Sequence, residues 1–221
     1  MIASQRLISF QSLFAVLILV MIESCALAPF SSPKSAQSLG PDKEEIDIGI
    51  LSLPYVQYTS GITENLDLGG AIGIQLGYDA SIFAKYSIIN EPLGSSVAIA
   101  GGIGVGYFLI PTRFAYIGPV WSHHWKSFEI VVHPRWNTVQ WDETTLEEEQ
   151  QDVTDPNSTN DEEDLILELD GGQLTYGQFH LGMNFWFTER FALSVSGIGF
   201  FGDEGTFSSG LLPESSLLFQ F

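Results

Sequence analysis

The chain has 221 residues, 27 of them acidic and 8 basic, for a formal net charge of -19. A chain this acidic does not bind nucleic acid by neutralising phosphates, and its single cysteine, Cys25, allows no intrachain disulfide. The length sets a bound of one domain, or one barrel of modest size.

Near the N-terminus, Leu13 to Ile22 (LFAVLILVMI) form an apolar run behind Arg6. The run is too short to cross a bilayer as a helix and has the length of a signal-peptide core. Two processing sites compete. Ala26-Leu27-Ala28 has the A-x-A form, but Pro29 would follow the cut. Ile22-Glu23-Ser24-Cys25 has the aliphatic, small, Cys order of a bacterial lipobox, with Glu23 as a departure. The second site makes residues 1–24 a removable signal and Cys25 an acylated N-terminus, which is a membrane anchor in its own right. Residues 25–44 then read as a lipid-anchored polar tether. Over 29–44 it is rich in Pro and Ser, the composition of a flexible linker.

From residue 45 onward strand-like runs follow one another, near 45–59, 65–76, 79–90, 96–109, 113–122, 127–141, 173–187, 190–200 and 213–221. No segment sustains a helical period. Alternating runs of about ten residues separated by turns are the signature of a transmembrane barrel. The expected fold is all-β, an antiparallel up-and-down transmembrane β-barrel over 45–221. Such barrels have even strand numbers, so nine runs imply eight strands or ten. Ten follows if 45–59 breaks at Leu53-Pro54, because Pro cannot donate to a ladder. The turns near 61–64, 91–92, 125–126 and 188–190 then fall at a periplasmic end, and the long polar segment 142–172 forms a loop at the other.

Two runs show their faces clearly. Phe179, Leu181, Met183, Phe185 and Phe187 alternate with Gln178, His180, Gly182, Asn184 and Trp186. In 127–141, Glu129, Val131, His133, Arg135 and Asn137 oppose Phe128, Ile130, Val132 and Trp136. In a barrel the charged set points inward, where Glu129, His133 and Arg135 join a polar lumen network. That network is either a structural plug or the lining of a narrow channel. A lipid-anchored soluble β-sandwich, whose core takes the apolar faces, is the other architecture. The last residues, Ser215 to Phe221, alternate at Leu217, Phe219 and Phe221. A closing strand that shows lipid an apolar face explains an aromatic there.

Between Asp142 and Asp170 there are 13 Asp or Glu and no Lys or Arg. Self-repulsion makes this a solvated loop. Its oxygen-rich stretch with Asp155, Asn157, Asp161 and Glu162 is the candidate for weak Ca²⁺ or Mg²⁺ binding, although it lacks the Gly and the ligand register of an EF-hand. No other cofactor or metal is expected. His123 and His124, beside Trp121 and Trp125, read as part of an interfacial aromatic girdle. Ser194 and Ser196 are expected to face inward one strand from His180, but no G-x-S-x-G accompanies them, and no catalytic residue is assigned.

Lipobox-like Cys25, the stretch Ser35-Ala36-Gln37-Ser38-Leu39-Gly40, the run from Tyr58 to Gly69, the similar turn in Phe187-Thr188-Glu189-Arg190-Phe191-Ala192-Leu193, and terminal Phe221 together resemble small bacterial outer-membrane β-barrel proteins. The resemblance is one of pattern and covers most of the chain beyond the signal. It implies the bacterial outer membrane as location and outer-membrane lipids as partners. It selects no activity, because such barrels serve as enzymes, channels, adhesins or anchors. The expected role is structural or surface-interacting and not enzymatic. Protein partners are not legible.

Overall fold

The computed structural model of the protein describes residues 33–221 except 52–53, 75–76, 109, 143, 147–166, 170 and 203–210. Among the described residues twelve strands run in chain order: β1 Glu44–Leu51, β2 Tyr55–Gly61, β3 Leu66–Ile74, β4 Tyr78–Ile89, β5 Gly94–Phe108, β6 Ile110–Trp125, β7 Phe128–Trp141, β8 Thr144–Leu146, β9 Leu167–Leu169, β10 Gly172–Thr188, β11 Phe191–Phe201 and β12 Leu211–Gln220. Ten of them close into one antiparallel up-and-down barrel; β8 and β9 pair separately as a small hairpin.

Closure is made by β1 on β12, in register from Glu45 with Gln220 to Leu51 with Ser215, with a bulge after Gly49. The backbones of Glu44 and Phe221 also bond each other. The β-sandwich alternative is therefore corrected: one sheet bonds to itself, and no second sheet packs on it among the described residues. The strand number is ten because the first run does break ahead of Pro54. With that break, the chain enters β1 at the end where β12 finishes. The turns after β2, β4, β6 and β10 share this terminal end. The hairpin β8–β9 lies at the opposite end, between β7 and β10.

Alternation decides which side of the wall each residue meets. Along β4 the pattern from Ser81 to Ser87 is strictly buried then exposed, and β6 repeats it from Thr112 to Ser122. The buried set is largely polar: Asp47, Gln57, Asp67, Lys85, Glu129, His133, Arg135, Asn137, Gln178, Asn184 and Glu214 all face in. The exposed set is largely apolar, including Ile72, Ile82, Ile103, Ile117, Trp136, Leu181 and Phe187.

Inside, two apolar clusters occupy different levels. Phe83, Phe114, Tyr116, Tyr176, Ile198, Phe200, Val139 and Leu212 fill the lumen toward the loop end. Ala36, Ala98, Ala100, Val120 and Val131 pack nearer the terminal end. Rings in the first cluster lie over glycines on the next strand. A Cβ on Gly104 would stand 2.3 Å from Phe114 Cζ, and one on Gly69 would stand 2.3 Å from Phe83 Cζ. Gly is therefore what allows these rings to fold inward.

Candidate functional site

Ala36 belongs to the stretch that the sequence marks as a flexible tether. Over 33–39 this stretch lies inside the barrel, and the reason is hydrogen bonding. A segment outside the ladder must find partners for its peptide groups, and here the wall supplies them. Asn184 Nδ2 donates to Lys34 O at 2.6 Å. Lys85 Nζ donates to Ser35 O at 2.9 Å and to Gln37 O at 2.6 Å. Ser87 Oγ donates to Ala36 O at 2.7 Å. The Ala36 amide donates to Ser122 Oγ at 3.1 Å, the Ser38 amide to Asn90 Oδ1 at 3.2 Å and the Leu39 amide to Asp67 at 3.3 Å. The partners come from β3, β4, β6 and β10, so the segment crosses the terminal mouth of the barrel as a strap. It leaves over β2, where the Gly61 amide bonds Lys43 O at 2.9 Å.

Side chains of the strap are held as firmly. Lys34 is buried against Glu214, with Asp47 Oδ2 at 3.7 Å, and its ammonium lies 5.4 Å from the Tyr55 ring centroid. The Tyr55 hydroxyl stands 2.7 Å from Asp47 Oδ2 and 2.6 Å from Glu214 Oε1, so it shares one proton between two carboxylates. Ser35 Oγ donates to Glu129 Oε1 at 2.6 Å. Ser38 Oγ donates to Asp67 Oδ1 at 2.6 Å, and Asp67 is paired with Lys85 at 3.0 Å. Buried charges persist when paired or hydrogen-bonded: Lys34 and Lys85 are paired with Glu214 and Asp67, and Glu129 is held by the Ser35 and Asn184 side chains.

Of the three residues assigned from sequence to a lumen network, all are buried on the inner face of β7, but they sit at two levels. Glu129 belongs to the strap, through Ser35 and through Asn184 Nδ2 at 3.0 Å. Arg135 is six residues further along, about 20 Å for an extended strand. Its Nε donates to Gln178 Oε1 at 2.6 Å, and its guanidinium lies 4.6 Å from the Tyr116 ring centroid, a cation–π contact. His133 is directly opposite His180 across β7 and β10, with ring centroids 5.7 Å apart. The sequence missed Lys34, Asp67, Lys85 and Glu214. The available signal was charge: four ionisable groups at inward-facing or linker positions of a chain with few cations.

Ser194 and Ser196 do not converge on His180. Ser194 pairs across with Asn184 and Ser196 with Gly182, whereas His180 pairs with Ile198; Ser196 Oγ donates to Glu214 at 3.2 Å. The candidate cation ligands Asp155, Asn157, Asp161 and Glu162 lie outside the described residues, as does Cys25. Among the described residues no group of three or more His, Cys, Asp or Glu side chains is placed to hold a metal. The ring stack at the terminal end includes Trp125 on Phe128 at 4.4 Å and His123 on Trp125 at 4.1 Å.

Comparison of the sequence with protein families and with curated proteins gives no match. Among solved structures, the chain is similar to the N-terminal β-barrel domain of Pseudomonas aeruginosa OprF, at 16% identity and a TM-score of 0.36, covering 82% of this chain and 99% of that one. A structure reported under "Unveiling the Mechanism Behind the in-meso Crystallization of Membrane Proteins" aligns at 8% identity and a TM-score of 0.31, covering 81% of this chain and 82% of that one. At these scores the barrel assignment rests on the strand pairing of this chain itself.

Proposed function

We propose that the protein is a bacterial outer-membrane β-barrel with a structural or surface-interacting role, closed to solutes and without catalysis. One observation carries the reading: polarity is inverted relative to a water-soluble domain. Buried charge faces in and large apolar side chains face out, whereas soluble proteins rarely expose broad contiguous apolar surface. The outward residues of β7 from Phe128 to Trp136, and of β10 from Phe179 to Phe187, are all apolar. Each stretch is nine residues long, which is what a tilted strand needs to cross a bilayer. Aromatic rings mark both borders: Trp125, Phe128, Phe187 and Phe191 at the terminal end, Tyr78, Tyr107 and Phe201 at the loop end. Beyond the apolar stretch, outward Thr138, Gln140, Gln173 and Thr175 are polar and bond one another across β7 and β10, as a wall standing in water would.

The lumen supports a structural role over a channel. The strap crosses one mouth and the aromatic cluster fills the other half, so a solute would have to displace both. Lipid attachment at Cys25 fits the direction of the strap. Pro33 borders a depression of about 420 Å³ at the terminal mouth, beside Lys126, Thr188 and Glu189. Eight residues of extended chain reach about 25 Å, enough to bring an acyl group from that mouth to the nearby bilayer surface. Gel mobility before and after boiling tests the barrel. A folded form that migrates faster until heated in detergent is expected, and a processed chain that stays monodisperse in plain buffer would refute the membrane assignment. Planar bilayers containing the protein are expected to show no unit conductance.

A further inference from the structure

The outward surface is not uniform. On β10 it is built from Phe179, Leu181, Met183, Phe185 and Phe187, whereas β3 to β6 place small residues outward at Gly70, Ala80, Ala84, Gly101 and Ala115. These lie close together in register: Gly70, Ile82, Ile103 and Ala115 form one cross-strand row, and Ala84, Gly101 and Ile117 the next. The surface there is recessed into three adjoining, mainly apolar depressions of about 910, 710 and 760 Å³. The first two share Ile72, Ala80, Val105 and Arg113, and the second and third share Ile82 and Ile103. They form one trough.

Arg113 stands at the loop end of that trough. It is the single Lys or Arg on the outward faces of β2 to β7 among the described residues. It lies one outward row below Tyr107 and Pro111, and its own row continues to polar Gln140. Apolar surface lies on one side of it and polar surface on the other. Its recorded ion pair is with Asp142 at 3.2 Å, and both side chains are about three-quarters exposed, at 74% and 75%. Such a pair is weak and readily exchanged. A guanidinium fork matches phosphate oxygens in a bidentate manner, at the depth where the headgroups of a bilayer begin.

We propose that this trough binds one phosphorylated lipid, its acyl chain lying across β3 to β6 and its phosphate on Arg113. The inference rests on the bilayer-spanning reading above. Charge selects the lipid over a second copy of the chain. No carboxylate lies on the outward faces of β2 to β7 among the described residues, so a two-fold contact through this face would offer each Arg113 no acid beyond the Asp142 it already holds, whereas a phosphate offers it a bidentate partner. Asp142 acts as a competitor that the phosphate displaces.

Native mass spectrometry of the detergent-folded barrel, with phosphatidic acid as the probe, tests the site. The wild type is expected to retain one phosphatidic acid and to discriminate against phosphatidylcholine. R113Q is expected to lose about tenfold or more in retention, and D142N to gain. Ala84→Phe fills the trough with Arg113 intact and is expected to weaken retention too. Equal retention by wild type and R113Q, no preference over phosphatidylcholine, or displacement of the lipid by inorganic phosphate alone would overturn the proposal. Heat-modifiable mobility of each variant reports separately on the barrel. If the wild type lacks it, the spanning reading fails; if all variants keep it and retention is unchanged, only the lipid site fails.

Discussion

Lys34 shows how much one side chain holds in this lumen. Its ammonium faces Glu214 and Asp47, and all three are buried. Lys34→Met leaves two carboxylates confined together without a cation, and breaking a buried pair in this way costs about 3–5 kcal/mol. Urea unfolding of the vesicle-inserted barrel is expected to show that loss, and to show most of it recovered in K34M/D47N/E214Q. Arg113→Gln is the contrast. The pair with Asp142 is exposed, so the change in stability is expected to stay within about 0.5 kcal/mol, even though lipid retention falls. At this scale the sequence was half legible. Alternation alone places Glu129, His133 and Arg135 on an inner face. It does not say that Glu129 meets Ser35, because that contact joins residues 94 positions apart through a segment whose Pro and Ser content matches a linker. Composition reports what a segment is able to do alone. The wall side chains that satisfy its backbone are far away in sequence.

The strands were legible because each carries its own period, and the Gly-rich run of β5 shows what the period leaves out. Gly102 and Gly104 lie directly opposite Tyr116 and Phe114 of β6, and the rings lean over them. Gly104→Val would place a side chain where the Phe114 ring now sits and where Ala80 O is 2.4 Å away. Overpacking of this kind costs about 1–3 kcal/mol, and the midpoint of urea unfolding is expected to fall accordingly. Gly101→Ala points outward, where the nearest side-chain atom, on Ile117, is 3.6 Å from a built Cβ and Tyr116 O is 3.1 Å away, so a much smaller shift is expected. The sequence shows glycines inside an apolar strand; it does not show which of them lie beneath a ring. Boundaries were missed where neighbours extend a strand beyond its apolar run. β6 begins at Ile110 and ends at Trp125 because β5 and β7 continue beside it, and the hairpin β8–β9 carries no period long enough to read.

Over the whole molecule, the lysines gather at one end, and one long segment at the other carries acids alone. Lys34, Lys43, Lys85 and Lys126 all border the terminal mouth, while the segment between Asp142 and Asp170 holds 13 acidic residues and no cation. Both termini of the barrel and the turns after β2, β4, β6 and β10 share the first end, so a single orientation fixes the side on which every turn lies. On the bilayer-spanning reading, even-stranded barrels have short turns toward the periplasm and longer loops outside, and the acidic segment is expected at the cell surface. A protease that cuts after Glu tests this directly. Added to intact cells, it is expected to cut between 142 and 170 and to leave Glu64, Glu91 and Glu189 intact. After the outer membrane is permeabilised, cleavage at the exposed turn residues Glu91 and Glu189 is expected to follow. The opposite order would invert the barrel and place the strap at the outer mouth. An acyl anchor at Cys25 would then lie on the wrong side of the membrane for the chain that carries it.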